Sequence, residues 1–143
     1  MKPSPERLRP ETYPVGVIVS SRFRDLDTLG HLNNVAIGSF YEEGRGALNR
    51  AVFDEARRAG GFRVLIADVH IAYLAEAFYP GDCEVRAGVL SSGRSSYVIA
   101  LAIFQNGTCV GTCETVMVHV DANGPAPLGA DDKAAMARFA LRA

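Results

Sequence analysis

The residues best suited to chemistry sit in one short stretch, Arg22-Phe23-Arg24-Asp25-Leu26-Asp27-Thr28-Leu29-Gly30-His31-Leu32-Asn33-Asn34. Two carboxylates, an imidazole and two amides fall in a segment that reads as a loop, directly ahead of a helical pattern. A helix N-terminus offers unpaired N–H groups and the positive end of a dipole. Such groups stabilise an oxyanion developing on a carbonyl. A carboxylate at the edge of the same loop can attack that carbon or take a proton from water. Asp and Asn before a helix also serve as caps and turn formers. A single loop histidine often does no more than hydrogen-bond. Local composition leaves both uses open.

The elements that must position this loop follow from periodicity. Val15, Val17, Val19, Ser21 and Phe23 alternate with other residues, which predicts a first strand. After the loop, Ile37, Phe40, Tyr41, Gly44, Ala47, Leu48, Ala51 and Val52 recur at helical spacing, which predicts one long helix over 35–58. Asn33 or Asn34 suits its N-cap, and Gly60-Gly61 ends it. Gly44 and Gly46 inside that helix each cost about 1 kcal/mol relative to alanine. Gly44 lies on the apolar stripe, so a closely packed sheet is expected there.

The remainder reads as strands over 64–74, 83–90, 95–105 and 108–120, then a short helix over 131–140. Leu65, Ala67, Val69, Ile71 and Tyr73 are expected on one face of the first of these. Cys109 and Cys113 are expected to share a face of the last. Asn106-Gly107 is the strongest hairpin signal in the chain. Short turns imply antiparallel neighbours, so the pattern predicts an α+β fold. A five-stranded antiparallel sheet must curl around one long helix, with its other face left for a partner or water. Residues 1–14, proline-rich and without apolar periodicity, read as a flexible N-terminal arm ahead of a single domain over 15–143.

Composition narrows the function. The chain has 143 residues, a formal net charge of −1 and 48% hydrophobic residues. That balance does not resemble a nucleic-acid binder, and no apolar run is long enough for a membrane span. The opening lacks the apolar core of a signal peptide. Cys83, Cys109 and Cys113 lack zinc-type spacing and read as reduced, packed thiols, so a cytoplasmic setting without metal or cofactor is expected. No serine nucleophile elbow or glycine-rich phosphate loop occurs. His70 and His119 read as ordinary strand histidines.

The pattern Asp25-x-Asp27-x-x-Gly30-His31-x-Asn33-Asn34, followed by Phe40-Tyr41-Glu42-Glu43-Gly44-Arg45, resembles the hotdog-fold 4-hydroxybenzoyl-CoA thioesterase family, especially its acyl-CoA thioester hydrolase branch. The resemblance runs on through Tyr73-Leu74-Ala75-Glu76-Ala77-Phe78-Tyr79-Pro80-Gly81-Asp82 and Gly93-Arg94-Ser95-Ser96-Tyr97-Val98. It implies a hotdog fold and hydrolysis of an acyl-CoA thioester, in a homodimer or homotetramer with sites at the subunit interface. Asp27 matches the family's catalytic aspartate, as nucleophile or general base. Backbone N–H groups near Asn33, Asn34 and Val35 would hold the oxyanion.

His31 matches a histidine of the related plant acyl-carrier-protein thioesterases. Those enzymes typically carry Asn-Gln before it, where this chain has Leu29-Gly30, so orienting the loop or binding substrate suits His31 as well as direct catalysis. Arg94, with Ser95 beside it, would bind CoA phosphates. Asp25 would be structural. Glu42 and Glu43 lie where a related branch keeps its catalytic carboxylate. With Asp27 present they read as structural, one of them pairing with Arg45. The competing readings are a thioesterase acting on acyl-carrier protein and a non-catalytic binder of acyl thioesters.

Overall fold

The computed structural model describes residues 2–142, apart from the side chain of Ala56. The chain forms β1 (Val15–Ser20), α1 (Asn34–Val52), α2 (Glu55–Ala59), β2 (Arg63–Tyr73), β3 (Asp82–Ser92), β4 (Ser96–Gln105), β5 (Thr108–Asp121), β6 (Gly124–Pro125) and α3 (Ala130–Arg138). The five long strands pair antiparallel in the order β1-β3-β4-β5-β2, and the two-residue β6 adds to β5. The sheet curls around α1. Ile37, Phe40, Tyr41, Leu48 and Val52 of the helix share one core with Val85, Ile99, Leu101, Ile103 and Cys113 of the strands.

Gly44 sets how closely the two layers meet. A Cβ there would lie 2.6 Å from Val85 Cγ1 and 2.9 Å from Leu101 Cδ2. Gly46 has no such role, since its added Cβ would meet only the far end of the Arg50 side chain, at 3.0 Å.

The helix is shorter than the predicted 35–58. It stops at Val52 because Phe53 turns into the core, where its ring lies 4.3 Å from Phe62 and 6.0 Å from Tyr97 between centroids. Asp54 then caps the separate α2 by accepting from the Arg57 N–H at 2.8 Å. The Asn106-Gly107 turn forms as predicted, with φ of 51° and 81° at the two residues.

Two bulges revise the expected faces. Near Ala67 the β2–β5 register slips, so Leu65 faces away from the side shared by Val69, Ile71 and Tyr73. Near Val110 the β4–β5 register slips, and Cys109 pairs with the outward Phe104 while Cys113 pairs with the inward Leu101. The two cysteines therefore face opposite sides.

The opening segment, expected as a loose arm, packs on the outer face of the sheet. Pro5–Leu8 and Pro10–Thr12 are 3-10 turns, and Tyr13 is fully buried against Ala100, Ala102 and Phe104. Arg7 is buried with it, donating to the Tyr13 hydroxyl at 3.1 Å and to Glu114 at 3.0 Å. The C-terminal segment closes the edge of β3 beyond β1, through Val89 N–H to Phe139 O and Leu141 N–H to Val89 O. On the opposite edge, β2 has no backbone partner beyond β5 among the described residues. No helix among the described residues is long and apolar enough to cross a membrane.

Candidate active site

The loop before α1 folds onto itself as a small hairpin. Leu26 bridges Leu32, Asp27 N–H donates to His31 O at 2.9 Å, and Gly30 takes a φ of 90° at the bend. Asp27 is both turn former and half-buried carboxylate. Its Oδ1 accepts from Leu29 N–H at 2.9 Å and His31 N–H at 3.4 Å. Its Oδ2 is left facing the imidazole, 3.4 Å from His31 Nδ1. Asp25 is structural, as expected. It is buried and accepts from the Arg22 backbone N–H at 2.8 Å and the guanidinium at 3.0 Å. The Arg22 guanidinium holds its carboxyl below the usual carboxylate range.

The other nitrogen of His31 faces a residue that the sequence reading did not single out. Nε2 lies 3.4 Å from Glu76 Oε1, in the segment between β2 and β3. Both separations, at 3.4 Å, are long for hydrogen bonds. Glu76 stood within the resembling Tyr73–Asp82 motif, as the only charge between Leu74 and Pro80. That lone carboxylate in an apolar run was the signal that could have found it.

Asn33 and Asn34 divide the work at the helix start. Asn33 is the N-cap, its side chain accepting from Ala36 N–H at 2.7 Å. Its own N–H is taken by Asp25 O at 2.8 Å, which removes it from the expected oxyanion donors. The N–H groups of Asn34 and Val35 meet no acceptor among the described residues. Asp27, His31, Asn34 and Glu76 line a cleft of about 430 Å³ whose other walls are apolar, including Leu32, Ile37, Leu74, Ala77 and Val110. Val35 is exposed and lines a separate surface depression with Arg22, Arg24 and Ser39.

Arg94 and Ser95 are not brought to this cleft within one chain. They occupy the β3–β4 turn, where Leu128 N–H donates to Arg94 O and His119 N–H to Ser95 O. The cleft lies near the other end of β4, a span of about 30 Å at the rise of an extended strand. Glu42 pairs with Arg45 at 3.0 Å, and the buried Arg45 also donates to Thr115 Oγ1 at 3.2 Å. Burial pushes the Cys83 thiol up to about 11, with Asp82 adding to it, and raises Cys109 and Cys113 as well. None of the three is a ready thiolate nucleophile at neutral pH. Among the described residues no group of three or more His, Cys, Asp or Glu is arranged to hold a metal ion.

A curled sheet around one helix, with a polar loop at the helix start, defines a class. Residues 21–137 match the family model of the thioesterase-like superfamily, and the chain belongs to that superfamily. Similar solved structures include a thioesterase from Thermus thermophilus, complexed with coenzyme A and Zn, at 28% identity and TM-score 0.81, covering 90% of this chain and 96% of that one. A thioesterase superfamily protein from Jannaschia sp. CCS1 aligns at 25% identity and TM-score 0.78, covering 92% and 87%. A 1,4-dihydroxy-2-naphthoyl-CoA thioesterase from Synechocystis, at 14% identity and TM-score 0.71 over 85% and 94%, shares the fold. A search of curated proteins finds no match. The architecture is the hotdog fold expected from the sequence.

Proposed function

We propose that the chain hydrolyses an acyl-CoA thioester to the free acid and CoA. The observation that carries this reading is the placing of Asp27, His31 and Glu76 around one cleft with Asn34, at the helix start where the N–H groups of Asn34 and Val35 have no acceptor among the described residues. The thioester oxygen would face those N–H groups, which stabilise the charge it gains at the tetrahedral stage. Asp27 Oδ2 would attack the carbonyl carbon or take a proton from the attacking water. His31, held between two carboxylates, would orient the attacking group and pass a proton toward the departing sulfur. The acyl group would lie along Leu32, Ile37 and Val110. Coenzyme A in the 28%-identical Thermus neighbour supports CoA as the carrier.

The reading includes a homodimer joined along β2, within the acyl-CoA thioester hydrolase branch of the 4-hydroxybenzoyl-CoA thioesterase family. Leu65, Ile66, Val69 and Tyr73 are all more than 40% exposed on this strand, whose outer edge has no partner among the described residues, an arrangement that invites strand addition. Antiparallel pairing of two β2 strands sets the 63 end of one beside the 73 end of the other. The β3–β4 turn lies at the 63 end, since Ser95 binds His119 and His119 pairs with Val64. Arg94 of the partner subunit would thus reach the end of the dimer where Asp27 sits, and bind CoA phosphates there.

The test is thiol release from short, long and aromatic acyl-CoAs by the wild type and Asp27→Asn. Turnover of at least one substrate is expected, with kcat for Asp27→Asn lower by roughly 10²–10⁴-fold. No release from any acyl-CoA would remove acyl-CoA as the substrate and leave the acyl-carrier-protein thioesterase and the non-catalytic binder. A folded Asp27→Asn protein with wild-type kcat would remove Asp27 from the chemistry.

A further inference from the structure

The segment that carries Glu76 has no regular structure, yet it is held on both sides of that residue. Ala75 N–H donates to Val110 O at 3.0 Å. Ala77 O accepts from Leu32 N–H at 2.8 Å, which ties it to the residue after His31. Gly81 O accepts from Ser21 N–H at 3.1 Å. Between these ties, Phe78 would have a free N–H and a free carbonyl. Both are met by a single side chain. Gln105 Oε1 accepts from Phe78 N–H at 2.8 Å, and Gln105 Nε2 donates to Phe78 O at 2.8 Å.

Gln105 is the last residue of β4, just before the Asn106-Gly107 turn, and is only 7% exposed. Glutamine is rarely buried without a task. Here its amide behaves as a substitute strand, pairing with both polar groups of one residue as a neighbouring backbone would. The fit is close on the far side too, since a Cβ on Gly81 would lie 3.0 Å from Gln105 Nε2.

We infer that Gln105 is a positioning residue for the proposed thioester hydrolysis: its side-chain amide sets the register of residues 75–78 and so holds Glu76 against His31. The inference rests on the proposed function and adds a residue that does not line the cleft. A carboxylate on an irregular segment keeps its distance from an imidazole only if the backbone on both sides is fixed, and a misplacement of about 1 Å can cost on the order of 10²-fold in rate.

A double-mutant cycle tests it. Gln105→Met, of similar length but without the amide, is made in the wild-type chain and in Glu76→Gln, with kcat, KM and thermal unfolding read on each. Beside Glu76, Gln105→Met is expected to lower kcat by about 10-fold or more with little change in KM. In the Glu76→Gln background the same substitution should change kcat by less than about twofold, because the group it positions is gone. If Gln105→Met leaves kcat at the wild-type level beside Glu76, or lowers it equally in both backgrounds, Gln105 only stabilises the fold and the inference is overturned. Should Gln105→Met fail to fold, Gln105→Asn carries the same cycle, since it keeps a neutral amide but is one methylene too short to reach both groups of Phe78. Absence of turnover in the wild type would instead strike the proposed function, a result distinct from either outcome of the cycle.

Discussion

At the scale of single residues, the loop before α1 shows how one carboxylate can serve a turn and still offer a second oxygen to the proposed chemistry. Asp27 spends one oxygen on the turn that shapes its own loop and leaves the other toward His31. The two uses do not compete, because they occupy different atoms. Glu76 is exposed and lacks any turn role, its one close partner being the imidazole. Glu76→Gln is therefore expected to lower kcat with almost no change in melting temperature, whereas Asp27→Asn should cost both turnover and some stability. Kinetics and thermal unfolding on the two variants check this, and a Glu76→Gln enzyme at wild-type kcat would confine the chemistry to Asp27 and His31. Asp27 was legible in the sequence because its neighbours are local. Glu76 was not, because its partner comes from another part of the chain and only the folded sheet brings the two together.

At the scale of elements, periodicity revealed which segments are strands and which is the helix, but not where a strand changes face. A bulge adds one residue, and with a side-chain period of two that moves everything beyond it to the other side. Nothing in the composition near Ala67 marks its slip, whereas Gly111 beside Val110 is the kind of strand glycine that accompanies a bulge. The early end of α1 was hidden for a related reason, since Phe53 suits a helix as well as it suits the aromatic cluster that claims it. Gly44 was the clearer case, because a glycine on an apolar stripe needs a close neighbour. Gly44→Ala should destabilise the protein by about 1–3 kcal/mol, as the added methyl meets Val85 and Leu101, both fully buried. Gly46→Ala, on the same helix, should instead be neutral or stabilising by up to about 1 kcal/mol. Denaturant titration of the pair separates the two, and equal effects would show that helix propensity, not packing, governs Gly44.

At the scale of the whole molecule, the proposed reading puts the cleft and Arg94 on different subunits, and that division has a measurable signature. Arg94→Ala should raise KM for acyl-CoA more than it lowers kcat, because phosphate binding is shared by ground and transition states. Mixing Asp27→Asn chains with Arg94→Ala chains should then restore tight substrate use. In a shared-site dimer each mixed pair holds one intact site, so about a quarter of wild-type activity at low substrate is expected after equal mixing. If both groups acted from one chain, no mixed dimer would contain an intact site and nothing would be regained. A monodisperse monomer at micromolar concentration would remove the dimer itself. The packed opening segment carries a different consequence, for how the protein is handled. A chain trimmed to begin at Val15, the obvious cut for a designer tidying away a proline-rich tail, would lose Tyr13 and Arg7. It would expose Ala100, Ala102 and Phe104 to water and leave Glu114 without its cation. The residues that look most expendable on paper form the lid of a second, smaller core.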